Sequence, residues 1–244
     1  MKTSIRRPLG VVASSFVLLL PACGGAVRDE RVPAAARAAG PSLVLRQGLN
    51  GYAGVTDVEV SSRHPPAGGT GGTGGARAAV TDGPAMGAYR IDGEGGYEVR
   101  SFLRFGALPS LQGRRVQRAE LALTFRRGSS GHALSVQALT KGWNAGDARF
   151  GWTNTGTGER WPVPGGGSSD WEAGPAATLD GAIGSEADTR VVALPADLVQ
   201  RWIDQPQHNH GLALVATVSG QGAWLRSSED AQPAWRPNLR LWLQ

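Results

Sequence analysis

Arg100, Phe102 and Arg104 alternate along one extended stretch, Tyr97 to Phe105, on the side opposite Leu103 and Phe105. Two guanidinium forks flanking an aromatic ring are groups suited to a sugar. The ring stacks on apolar patches of the pyranose, and each fork donates paired hydrogen bonds to hydroxyls or a carboxylate. The same alternation also describes a strand with a solvated polar side, or a ring buried against a neighbouring loop. Trp161 and Trp171 lie among Pro, Gly, Ser and Asp, where a large ring either meets solvent or pins a loop. Ligand contact is expected at Arg100, Phe102, Arg104, Trp161 and Trp171.

A second set of donors is acidic. Asp57 on an early strand, with Glu229 and Asp230 before the last one, offers hard oxygens of the kind that hold a structural Ca2+. The alternative is that these acids cap turns or pair with Arg226 and Arg236. His208-Asn209-His210 falls where a helical turn reverses into a strand, and a solvated turn is the expected reading. No Gly-x-Ser-x-Gly elbow is present, and the four histidines lie in Gly- or Pro-rich segments. The Gly68 to Gly75 repeat lacks the preceding strand and following helix that a phosphate loop requires. The chain is therefore expected not to be an enzyme and to need no cofactor other than that calcium ion.

The elements that must position these groups are short. Gly and Pro punctuate the chain, and the segments between them alternate with period two, as β-strands do. Strands are expected over Ser42–Gln47, Gly54–Ser61, Tyr97–Phe105, Val116–Phe125, Ala133–Thr140, Val191–Leu194, Gly211–Val218, Gly222–Arg226 and Asn238–Leu243. Each carries one clearly buried side, such as Ala119, Leu121, Leu123 and Phe125. Pro195 opens one helical turn, Ala196 to Ile203, whose apolar stripe is Leu198, Val199, Trp202 and Ile203. About ten strands and a single helical turn predict an all-β, two-sheet β-sandwich (jelly roll) with long Gly/Pro-rich loops.

The N-terminus supplies an address. Lys2, Arg6 and Arg7 precede an apolar run, Val11 to Leu20, too short for the ~20 residues a bilayer core demands. Leu20-Pro21-Ala22-Cys23 looks like a bacterial lipoprotein signal, with Cys23 the lipid acceptor. Residues 1–22 are then a signal peptide, 23–41 a flexible tether and 42–244 the domain. Acyl chains add about 0.8 kcal/mol of membrane affinity per buried methylene, so two or three hold a soluble domain at the envelope. Removing Lys2, Arg6 and Arg7 from the 25 Lys and Arg leaves 22 against 20 Asp and Glu. That balance offers no footprint for nucleic acid. Cys23 is the only cysteine, so no intramolecular disulfide is available and the core must hold the fold.

The order of segments resembles the DNRLRE-type domains, classed as carbohydrate-binding module family 96. The likeness begins with Leu45-Arg46-Gln47-Gly48-Leu49-Asn50-Gly51-Tyr52 and continues through Leu103-Arg104-Phe105, Ala119-Glu120-Leu121-Ala122-Leu123 and Trp143-Asn144. It closes with Asn209-His210-Gly211-Leu212 and Pro237-Asn238-Leu239-Arg240-Leu241, so it spans nearly the whole mature chain. The family's Leu-Arg-Phe strand usually continues into Asp, whereas here Gly106 follows Phe105. The resemblance implies a jelly roll that binds a polysaccharide, acidic glycans among its targets.

Three functions remain open on the sequence: a surface-anchored carbohydrate-binding module, an adhesive lipoprotein that contacts an envelope protein, and a small polysaccharide hydrolase or lyase. The first leads because the resemblance covers the whole domain. The membrane is engaged through the lipid alone. Cys23→Ala is accordingly expected to move the protein from the membrane fraction to the soluble fraction; a variant still sedimenting with membranes contradicts lipidation.

Overall fold

Eleven strands join into one antiparallel hydrogen-bonded network that folds into two facing layers. The structure is a computed structural model, and it describes residues 40–62, 85–94, 96–108, 111, 113–128, 132–146, 148, 152–154, 159–162, 166–181 and 186–244. Cys23, the signal, nearly all of the tether and the Gly68 to Gly75 repeat lie outside the described residues. So does the side chain of Trp152.

In chain order the strands are β1 (Leu43–Arg46), β2 (Val55–Ser61), β3 (Ala85–Ile91), β4 (Tyr97–Phe105), β5 (Val116–Gly128), β6 (His132–Ala138), β7 (Trp152–Asn154), β8 (Glu159–Arg160), β9 (Ala177–Gly181) and β10 (Thr189–Leu194). Helix α1 (Ala196–Asp204) follows, then β11 (Leu212–Ala216), β12 (Gln221–Arg226) and β13 (Asn238–Leu243). The first layer runs β1-β13-β5-β10. The second is built around β4, with β2 along one edge. The other edge of β4 is shared: β3 pairs with Tyr97 to Val99, and β11 pairs with Ser101 to Leu103. From there β3 leads to β12, and β11 leads to β6 and β9. Strand β5 connects the layers, because its far end pairs with β12 beyond a bulge.

The all-β sandwich expected from the alternation is what the chain forms. Tyr97–Phe105 and Asn238–Leu243 match their expected bounds. Strand β3 was not expected, and Gly87 is the reason. A glycine inside a short apolar run reads as a break, but here a Cβ would lie 2.7 Å from Glu59 Oε2 and 3.0 Å from the Trp224 ring. The strand needs a residue without a side chain at that crossing.

The main core lies between the layers and takes Leu103 and Phe105 from β4, Leu121, Leu123 and Phe125 from β5, and Leu239 and Leu241 from β13. Helix α1 adds Leu198, Val199, Trp202 and Ile203 to this core. Its Gln200 side chain accepts from the Val116 amide at 2.8 Å, which joins the helix to the start of β5. At β4's far end, the Tyr52 hydroxyl donates to the Gly106 carbonyl at 2.6 Å, and Gly106 N–H donates to Gly54 at 2.7 Å.

The expectation that each strand buries one side fails for β2, β4 and β11. Their outer faces also form a core, made of Val58, Val60, Phe102, Ala213 and Val215. Val58, Phe102 and Ala213 are directly opposite one another across three strands. Above them sits a roof from the segment after β6, contributing Leu139, Trp143, Ala148 and Trp161. Phe102 is 0% exposed and its ring centroid lies 5.6 Å from Trp143 and 5.1 Å from Trp161. Phe102→Ala is expected to destabilise the protein by about 3–5 kcal/mol, as removal of a packed core ring does. A urea midpoint unchanged from the parent would contradict a packed roof.

Candidate functional site

The roof decides the fate of the residues first expected to touch a sugar. Phe102 and Trp161 (4% exposed) form the second core, so neither presents a ring to solvent. Arg100 is buried as well. Its Nε and Nη2 each donate to the Glu98 carboxylate at 2.8 Å, and Nη1 donates to the Gly166 carbonyl at 2.6 Å. Its guanidinium also lies 5.4 Å from the Trp171 ring centroid. Arg100 thus fastens the roof to β4, and the buried fork costs little because every face of it is engaged. Trp171 is half-buried and packs against the second core. Arg104 is half-buried, as Trp171 is, with its guanidinium 5.0 Å from the Trp143 ring. The alternation brings together Arg100, Phe102 and Arg104, and the roof adds Trp161 and Trp171 to them.

The acids divide differently. Asp57 is buried and accepts from the Ser228 amide at 2.7 Å, joining β2 to the turn that follows β12. Glu229 lies beside it and accepts from the Ser228 hydroxyl at 2.5 Å. Burial first, and then the Glu229 charge, push the Asp57 carboxyl up to about 7. Asp57 therefore keeps its proton at acid pH, directed toward the Glu229 carboxylate. Asp230 turns away, accepting from Arg226 Nη1 at 3.1 Å and from the Gln232 amide at 2.8 Å. Among the described residues no three His, Cys, Asp or Glu side chains gather into a group that could hold a metal ion. The expected acidic triad is therefore a pair at a strand-to-turn joint, with its third member in an ion pair.

An arginine and aromatic face of the kind sought on β4 occurs on the first layer. Leu239, Leu241 and Leu243 of β13 point to the core, so Asn238, Arg240 and Trp242 take the outer side. Strand β5 alternates likewise: Ala119 and Leu121 face inward, Arg118 and Glu120 outward. Trp242 is directly opposite Arg118, and Arg240 is opposite Glu120. The Arg118 guanidinium lies 4.4 Å from the Trp242 ring centroid and bonds to the Glu120 carboxylate. Arg240 Nε donates to Asn238 Oδ1 at 2.9 Å. Arg46, on the same side of β1 opposite Asn238, has a buried Nε with no hydrogen-bond partner. All four of Arg46, Arg118, Arg240 and Trp242 keep part of their surface in solvent.

Three guanidiniums with one carboxylate and one indole leave this face cationic, with Arg240 in the middle row and Trp242 beside Arg118 at one end. The three forks run diagonally over β1, β13 and β5, about 10 Å across the strands and about 14 Å along them. The sequence signal for it is the alternation in Asn238 to Leu243, which has the same form as that in β4.

The acid pair has a measurable consequence. Asp57 has a folded value near 7 against the ordinary 3.8, so the folded protein holds a proton that the unfolded chain releases between those values. Stability is therefore fully present below about pH 4 and declines as pH rises through about 7. Asp57→Asn keeps an acceptor for the Ser228 amide and removes the titration. The parent is expected to lose stability relative to the variant between pH 5 and pH 8 in urea unfolding, and parallel pH profiles would rule out the retained proton.

No protein-family model matches the chain and no curated protein matches it, so the likeness to DNRLRE-type domains is carried by the quoted motifs.

Proposed function

We propose that the protein is a non-catalytic carbohydrate-binding module, held at the cell envelope by a lipid on Cys23, that presents the outer face of its first layer to an acidic polysaccharide. The observation that carries this reading is the composition of that face: Arg46, Arg118 and Arg240 against Glu120, with Trp242 beneath Arg118. An anionic polymer supplies what the face lacks. Its carboxylates accept from the guanidinium forks, and its ring faces lie on the indole. The order of motifs shared with the DNRLRE-type domains supports the same ligand class.

The two roles of arginine give the test its selectivity. Arg100 is fully engaged by Glu98 and Gly166, so its removal should loosen the roof and leave the ligand contacts in place. Arg118 and Arg240 are the groups expected to meet the polymer. A charge-assisted hydrogen bond contributes about 1.5–3 kcal/mol, and 1.4 kcal/mol is tenfold in affinity. The full-length chain in detergent is expected to be retarded in gels containing a polyuronate and not in gels containing a neutral glucan. The Arg118→Ala/Arg240→Ala double variant should bind at least about tenfold more weakly, and 0.5 M salt should weaken the parent. Equal retardation by the neutral glucan, or no change in the double variant, would sink this reading.

A further inference from the structure

A cleft of about 220 Å3 lies where the end of α1, the residues after β6 and the turn before β11 meet. Leu139 and Trp202 form its apolar side; Thr140, Gln205, His208 and His210 form its polar side. The acid that borders it, Glu172, is already occupied. Both of its oxygens accept from Arg201 Nη2 at 2.7 Å, and Arg201 also bridges to Asp197 at 3.1 Å.

Among the described residues the imidazoles have no such acid. His208 is exposed, and its Nδ1 shares a hydrogen bond of 2.8 Å with the neutral Gln205 side chain. His210 is half-buried, and its ring sits beside the backbone of Gly142. The neighbouring Lys141 is itself paired with Glu159 at 2.8 Å. Trp143 donates from Nε1 to the His210 carbonyl at 2.8 Å and carries Arg104 on its ring face at 5.0 Å. Burial lowers the Arg104 guanidinium, and no carboxylate offsets that among the described residues. Burial, then the charges of His208 and Arg104, lower His210 in turn. His208 and His210 line the cleft, Arg104 lies near enough to act on His210, and the one acid among the lining residues is held by Arg201. A small anion entering there would offset that positive charge and draw a proton onto His210.

We propose that this cleft binds a small oxyanion, held by the imidazoles of His208 and His210 together with the Thr140 hydroxyl and the Gln205 amide, so that binding strengthens on acidification. The site shares no residue with the Arg118 and Trp242 face, and it stands whether or not a polysaccharide binds there.

Sulfate and acetate are suitable probes, since both stay largely ionised between pH 5.5 and pH 7.5. The full-length chain in detergent is titrated with each while the imidazole resonances are followed by NMR. His208 and His210 signals are expected to shift, with affinity about tenfold higher at pH 5.5 than at pH 7.5, as uptake of one proton allows. The His208→Gln/His210→Gln variant, which keeps hydrogen-bonding side chains, should lose that dependence while retaining the parent's urea midpoint. Tighter sulfate binding assigns the cleft to a tetrahedral oxyanion, and tighter acetate binding to a planar carboxylate. Imidazole signals unmoved by either ion, equal affinity at the two pH values, or an unchanged pH dependence in the variant would overturn the proposal.

Discussion

The middle of strand β4, from Val99 to Leu103, has no face left for water, and most of the architecture follows from that constraint. Leu103 and Phe105 must be covered from one side, Phe102 from the other. A two-layer sandwich covers only the first set. The second requires a roof, and the chain provides it in the irregular segment between β6 and β9. Buried apolar area drives the closure, but direction comes from polar groups. Arg100 ties the roof at Gly166, and the Trp143 indole ties it at His210. The buried fork is tolerable because Glu98 meets it with both oxygens.

Among the described residues arginine lies over an aromatic ring in Arg100 on Trp171, Arg104 on Trp143, Arg118 on Trp242 and Arg226 on Trp235. The geometry is common to all, but its meaning depends on what else the guanidinium touches. Arg226 also reaches Asp230 and Glu186, and Arg100 reaches Glu98, so both serve as joints. Arg104 has no such acid among the described residues, and Arg118 shares its single Glu120 with a face that holds two further arginines. A charge surplus, more than the stacked pair itself, distinguishes a surface for a ligand from a fastening within the fold.

Much of the fold was legible in the sequence because it rests on local alternation. Strands β4, β5 and β13 show their inner faces directly, and Pro195 with the Leu198 to Ile203 stripe marks α1. The roof was not legible, since residues 139–171 have no periodicity and are held by long-range contacts. A clue did exist in β11, whose Leu212-Ala213-Leu214-Val215-Ala216 run is apolar on both sides, as a strand buried twice must be. Its partnership with Phe102 depends on register, which one-dimensional patterning does not contain. Asp57 and Glu229 were each visible as acids, but 171 residues separate Asp57 from Ser228, and topology alone brings them together. The Arg118 and Trp242 face likewise rests on the pairing of β13 with β5, which the alternation in either strand does not contain.

The placement of β1 carries a mechanical consequence. It is an edge strand, held to the sandwich by four residue pairs with β13, from Leu43 opposite Leu241 to Arg46 opposite Asn238. Beyond that ladder, Arg236 Nη1 grips the Gln47 carbonyl at 3.1 Å, and Ser42 accepts from the Leu243 amide at 3.2 Å. Any pull on the chain before Gly40 reaches this short ladder before it reaches the main core. The strand would peel pair by pair, beginning at Leu43, while β13 stays paired with β5. Load on the N-terminal side is thus taken up by a sacrificial strand at the margin, and the arginine-bearing face on β13 and β5 stays in register beneath it.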